Sequence, residues 1–408
     1  MKNALCISLV FAAAAGFAAA PVLTVTSVSQ DPASRLVTIA YSLDQDAVVT
    51  FESGFGTRVL GDVWRRVPQG TGSLTWYPDA QGDVAGTEAF TLRAWPTDDP
   101  PTYFAVDLDK PSNQFYYPDV GTMPFAPTSS VCKGQYLVMR RIYAKDVVWP
   151  MGSPSTETGR GGETQHYVKL TNDYYLAIFP MTQGQSRRII GKNNSSRDVN
   201  DLPVDAAGWH SVRGKNVSWP EDGHAIDTAE DSVLKRLREK TGGLLFDLPT
   251  EAEWEYACRA GTSGAYNAEG DLDAIAWYSG NNVDDGVANR RGTTKAVGLK
   301  RPNAWGLYDM HGNVSEWCLD GYSAYPTAGD VSAPVIAPQG PDGKSVTADG
   351  GFKRVKRGGG YARAAATNRS AWRVGLQQSY SLDNVDGNPA ALYSNGYRLA
   401  LPIVPAAK

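Results

Sequence analysis

Side chains able to do chemistry are few in this 408-residue chain, and their spacing narrows what they can do. Asp309 and Glu316 flank a turn at His311-Gly312 in the run GLYDMHGNVSEW. With the carbonyls between them, two such carboxylates can build an oxygen-only cage, which suits a hard cation such as calcium. The plainer alternative is that Asp309 caps the turn and Glu316 pairs with an arginine. The histidines, His166, His210, His224 and His311, show no ligand spacing such as HxxxH, and the cysteines form no CxxC, so non-haem iron and structural zinc are not expected. No GxSxG elbow is present for a serine hydrolase.

Arg357, Arg373 and Arg398 each sit beside a glycine or an aromatic residue in loop-rich sequence. Buried guanidinium–carboxylate pairs commonly tie such loops together, so these arginines are expected to be structural. The basic run from Lys353 to Arg357 reads as a solvated loop. The run LQQSYSLDNVDGNPAALYSN, from Leu376 to Asn395, is rich in Tyr, Ser, Asn and Asp, an adaptable set for contacting a ligand.

The elements that must position these residues fall into two regions. Residues 1–20 read as a signal peptide: Lys2 is the positive start, Ala4 to Phe17 the apolar core, and Ala18-Ala19-Ala20 the cleavage site. That stretch is too short to span a bilayer, no later run approaches about 20 apolar residues, and export is expected without a membrane span. Cleavage leaves Cys132, Cys258 and Cys318, an odd number, so at least one thiol is outside any internal disulfide. A net charge of −4, with basic and acidic residues interspersed, excludes nucleic acid as an expected partner.

From residue 21 to 110, runs such as RLVTIAYSL, AVVTFES and AFTLRAW alternate apolar and polar residues. Turn formers divide them at Asp31-Pro32, Asp44-Gln45-Asp46, Gly70-Thr71-Gly72 and Asp98-Asp99-Pro100. This pattern predicts an all-β sandwich of immunoglobulin or fibronectin type. A Pro-rich linker is expected over 111–130, and a second domain over 131–405. There, AEDSVLKRLREKTGG predicts a helix with Val233, Leu234 and Leu237 on one face, ended at Gly242-Gly243. LPTEAEWEYACRAGT predicts another, opened by a Thr250–Glu253 capping box and ended at Gly261. Trp254, Ala257 and Cys258 make its buried stripe, which assigns Cys258 to the core.

The second region resembles the formylglycine-generating enzyme, or sulfatase-modifying factor, superfamily from about Tyr136 to Leu401. The matching stretches run in order: WPMGSP, ETQHYVKL, YYLAIFPMTQGQ, FDLPTEAEWEYACRAGT, KRPNAWGLYDMHGNVSEWCLDGY, RVKRGGGYARAAATNRSAWR and NGYRLAL. The resemblance implies an α+β, loop-rich domain of C-type-lectin-like fold, often stabilised by calcium. It implies calcium ligands at Asp309, the Gly312 and Val314 carbonyls, and Glu316.

The family's oxidases use two cysteines after the glycine run to bind copper(I), a soft ion that prefers thiolates. The matching positions here are Arg363 and Asn368, and no cysteine follows Cys318. Copper is therefore not expected. The expected function is a non-catalytic binding or surface protein for a protein, peptide or carbohydrate ligand. The alternative is a protein-modifying oxidoreductase with a divergent site. In either case the candidate groove residues are Tyr361, Arg363, Asn368, Trp372 and Arg373.

Overall fold

The computed structural model describes residues 20–79, 84–193, 195–215, 231–268, 271–282, 292–325, 331–337, 353–377 and 394–403. The described residues divide into two units, one taking those up to 106 with 113–127 and 403, the other 107–112 and 128–402.

In the first unit the alternating pattern becomes sheet. Strand Val37–Leu43 lies antiparallel between Leu23–Gln30 and Gly70–Trp76, with Val37, Ile39, Tyr41 and Leu43 buried. Ala47–Glu52 lies between Arg65–Val67 and Thr91–Trp95 in a second sheet. The two sheets meet where Phe51 of one packs 5.3 Å from Trp76 of the other, and Phe90 stacks 5.9 Å from Phe51. Aromatic pairs at such spacing add to the burial of their own surface. Gly70-Thr71-Gly72, expected as a turn, is instead the start of a strand. A Cβ at Gly72 would lie 2.5 Å from the Tyr41 ring on the neighbouring strand, so the glycine makes room for a cross-strand ring rather than for a bend. The 111–130 stretch, expected as a linker, carries strand Gln114–Tyr117, paired antiparallel with Tyr103–Asp107.

The second unit is mostly strand and loop with a few short helices, more β in character than the expected α+β class. Tyr174–Ala177 pairs with Tyr136–Ile142 on one side and Ala400–Pro402 on the other. A second sheet runs in the order Arg373–Gln377, Lys353–Arg357, Ser315–Gly321, Asn395–Gly396. The Val233–Lys240 helix buries Val233, Leu234 and Leu237 as expected, and ends in a Schellman motif: the Gly243 amide donates to the Arg238 carbonyl and Gly242 is left-handed at φ 74°. The Glu251–Arg259 helix opens with the expected Thr250–Glu253 capping box; its left-handed cap is Ala260, one residue before the expected Gly261.

The basic run Lys353–Arg357 is not a solvated loop. It is a strand on which Arg354, Val355, Lys356 and Arg357 are all buried. Each cation has an aromatic partner: Arg354 lies 4.2 Å over Trp209, Lys356 5.6 Å from Trp317, and Arg357 5.4 Å from Trp254. The indole faces are electron-rich and offset part of the desolvation that buried cations suffer. The charge pattern alone carries no trace of those tryptophans, which come from distant segments.

Candidate functional site

Four of the candidate groove residues, Tyr361, Arg363, Asn368 and Trp372, fall on one loop between strands Lys353–Arg357 and Arg373–Gln377, and Arg373 opens the second strand. Gly358 and Gly359 turn the chain with φ of 86° and 78°, a region glycine enters without penalty. A Cβ on Gly359 would lie 2.3 Å from the Asn368 side-chain oxygen, so this approach requires glycine. Tyr361, 4% exposed, donates its amide to the Asn313 carbonyl. The Arg363 carbonyl accepts from the Ser279 amide. Asn368 is fully buried; its oxygen accepts from the Gly360 amide at 3.0 Å, and its NH2 donates to the Ala364 carbonyl at 2.8 Å. The carbonyls of Ala371 and Trp372 both accept from Arg357. The loop is therefore closed on itself by its own side chains, with Asn368 as the clamp.

Arg373 is committed elsewhere. Its guanidinium grips both Glu251 oxygens at 2.7 Å and lies 4.0 Å over the Tyr325 ring. The same pattern recurs through the unit. Arg357 meets Glu255, Arg259 meets Glu255 at 2.8 Å, Arg213 meets Asp247 at 2.8 Å, and Arg398 meets Glu316. Arg357, Arg373 and Arg398 are thus each buried against a carboxylate, as expected of arginines that tie loops together. Sequence reasoning passed over Arg369, which ties the loop to Glu157, Glu163 and Ser153. Only its place in the run NRSAWR, beside the candidate positions, pointed to it.

A cysteine–histidine contact lies near this loop. His311 Nε2 lies 3.7 Å from the Cys258 sulfur. The Asn267 amide donates to Nε2, which puts the ring proton on Nδ1, where it donates to the Asn368 carbonyl at 2.7 Å. Burial pushes the His311 pKa down to about 4 and the Cys258 thiol up to about 12. Both groups stay neutral, so no thiolate nucleophile forms. Cys132 and Cys318 are likewise buried and free, as Cys258 is, so no pair among the three is joined by a disulfide.

The two carboxylates expected as calcium ligands each have protein partners. Glu316 is fully buried, with both oxygens held by Arg398 and one also accepting from the Trp254 indole at 2.6 Å. Asp309 accepts from the Gly298 amide at 2.7 Å and, more distantly, from Asn313 at 3.4 Å. Burial raises its pKa to about 6. The Gly312 amide donates to the Gly358 carbonyl, and Val314 is buried. A divalent cation here would have to share Glu316 with the Arg398 charge. Among the described residues, no group of three or more His, Cys, Asp or Glu is placed to hold a metal. The Leu376–Asn395 run, marked as a ligand-contacting loop, lies almost wholly outside the described residues.

Such a domain, loop-rich and cross-tied by buried arginine–carboxylate pairs, has clear relatives. Residues 139–385 match the sulfatase-modifying factor enzyme 1-like domain, and the chain belongs to that family. It is 37% identical over 209 residues to the formylglycine-generating enzyme of Streptomyces coelicolor, covering 47% of this chain and 62% of that protein. The bovine (Bos taurus) formylglycine-generating enzyme is 34% identical over 181 residues, 40% of this chain and 44% of the enzyme. The chain thus spans less than two thirds of either enzyme's length. The chaperone protein LppX of Paenibacillus barcinonensis is 29% identical over 197 residues, 41% of this chain and 69% of that protein. Among solved structures, Treponema denticola variable protein 1 superposes over 65% of this chain and 95% of its own, with a TM-score of 0.47 and 23% identity.

Proposed function

We propose that this chain is an exported, non-catalytic binding or surface protein that uses the family domain as a rigid scaffold. The observation that carries this reading is Asn368. At a position where the family's oxidases supply a thiolate, this side chain is fully buried and spends its amide on the Gly360 and Ala364 backbone. Asn368 therefore serves the loop, and neither it nor Arg363 offers a soft ligand for copper(I). The lysine-led apolar segment at the N-terminus supports export. The two facing sheets of the first unit support an immunoglobulin- or fibronectin-type sandwich acting as a spacer or adhesion module.

The test is direct. The full chain is incubated with copper(I) and a peptide carrying a sulfatase-type cysteine motif, and the peptide mass is followed. The expected result is an unchanged peptide. A mass loss matching conversion of the cysteine to an aldehyde overturns the reading.

A further inference from the structure

On an inner strand of the second unit's four-stranded sheet, the amine of Lys356 meets a carboxamide instead of water. Strand Ser315–Gly321 pairs with Lys353–Arg357 on one side and with Asn395–Gly396 on the other. In that register Lys356 stands opposite Trp317, and Asn395 opposite Ser315. Residues two apart on a strand share a face, so Lys356 and Asn395 flank the middle strand on one side of the sheet. Lys356 reaches across it. Its Nζ donates to the Asn395 Oδ1 at 2.5 Å, and both side chains are fully buried.

Lys356 differs in kind from Arg354 and Arg357, the other buried cations of its strand. A guanidinium keeps its proton, so an arginine can be paired but does not react. A lysine amine taken out of water gives up its proton more easily, and the neutral amine is a nucleophile. The Lys356 contact with the Trp317 ring, at 5.6 Å, is also the longest of the three cation–π contacts on this strand.

We propose that Lys356 and Asn395 join in an intramolecular amide bond, a covalent tie between the two strands that flank Ser315–Gly321. Nζ of Lys356 forms a bond to Cγ of Asn395, and the Cγ–Nδ2 bond breaks. The proton that Nζ already directs at Oδ1 polarises the carboxamide for this attack. Two protons pass from Nζ to Nδ2, so a lysine ammonium and a carboxamide become a secondary amide and an ammonium ion. No oxidant, reductant or further reactant is consumed. Holding the two groups in contact replaces a slow bimolecular encounter with a unimolecular step. The dry surroundings exclude competing water, and the charge leaves the core with the ammonium ion.

The bond has a structural purpose at this place. Asn395–Gly396 is a two-residue strand, too short to be held firmly by its ladder alone. Cys132, Cys258 and Cys318 are free, so among them no disulfide secures the sheet. An amide between positions 39 apart closes the chain as a disulfide does elsewhere. The tie stands whether or not the protein binds a ligand or is catalytic.

The full chain is purified, its first residue is identified, and its mass is measured under denaturing conditions. The expected mass lies about 17 Da below that of the sequence, the mass of one ammonia. Trypsin is expected to release a branched peptide in which Lys356 carries Asn395, because an acylated lysine is not cut. Lys356→Arg keeps a cation but lacks the amine, and its expected mass is the full one. Asn395→Asp loses water in place of ammonia, so its deficit is about 18 Da and its branched peptide matches the parent's. Should either variant fail to fold, the parent's own mass and branched peptide decide. A parent of full mass overturns the proposal. So does a deficit of about 17 Da that persists in Lys356→Arg, which places the lost ammonia elsewhere in the chain.

Discussion

Arg398 grips both carboxylate oxygens of Glu316, at 2.6 and 2.8 Å, and neither side chain is open to solvent. The Arg398 guanidinium also donates to the carbonyls of Ala177 and Tyr308. One ion pair thus ties the Tyr174–Ala177 strand, the Ser315–Gly321 strand and the C-terminal run together. Removing the arginine alone strands a buried charge. Arg398→Met is expected to cost about 3–5 kcal/mol by urea denaturation. The double variant Arg398→Met/Glu316→Gln, which keeps an acceptor for Trp254, is expected to be more stable than Arg398→Met. If the double variant is the weaker of the two, the stranded-charge account is wrong.

The same pairing bears on calcium binding. With Glu316 neutralised by Arg398, a divalent cation between Asp309 and Glu316 meets a charge of its own sign. The melting temperature is expected to shift by less than about 1 °C between excess calcium and chelator, since only a ligand bound to the folded state stabilises it. A calcium-dependent rise of several degrees, lost in Asp309→Asn, would restore the cage.

Asn368→Cys places a thiol at the position the resemblance assigns to an oxidase cysteine, and it removes the acceptor of the Gly360 amide. The predicted cost is about 1–3 kcal/mol, the penalty for a buried donor left without a partner. Equal stability of this variant and the parent, measured by denaturation, would show that Asn368 is not the clamp described above.

Asp320 gives a pH signature. Burial, and then the neighbouring Glu251 charge, push its pKa up to about 8 from 3.8. The folded state therefore keeps a proton that the unfolded chain has released, and stability from this group is present below about pH 4 and lost as pH rises to about 8. His311, lowered from 6.5 to about 4, acts oppositely, adding stability as pH rises across that lower window. Above pH 6.5 the Asp320 effect stands alone of the two. The melting temperature is expected to fall between pH 6.5 and 8, and the fall is expected to flatten in Asp320→Asn. An identical slope in both proteins would remove Asp320 as the cause.

What the sequence determined by itself was local. The capping box at Thr250, the stripe of Trp254, Ala257 and Cys258, and the alternation of Val37, Ile39 and Tyr41 were legible because each signal lies within a few residues of its partner. The ordered motifs were legible as a family resemblance, and the lack of cysteine after Cys318 needed no coordinates. The tertiary structure decided which charges face which. That Glu316 meets Arg398, 82 residues away, is visible only in the folded chain. The run Lys353–Arg357 reads as solvated until three distant tryptophans cover it. Ion pairs and cation–π contacts carry no sequence period, so only the folded chain, which sets their distances, could assign them.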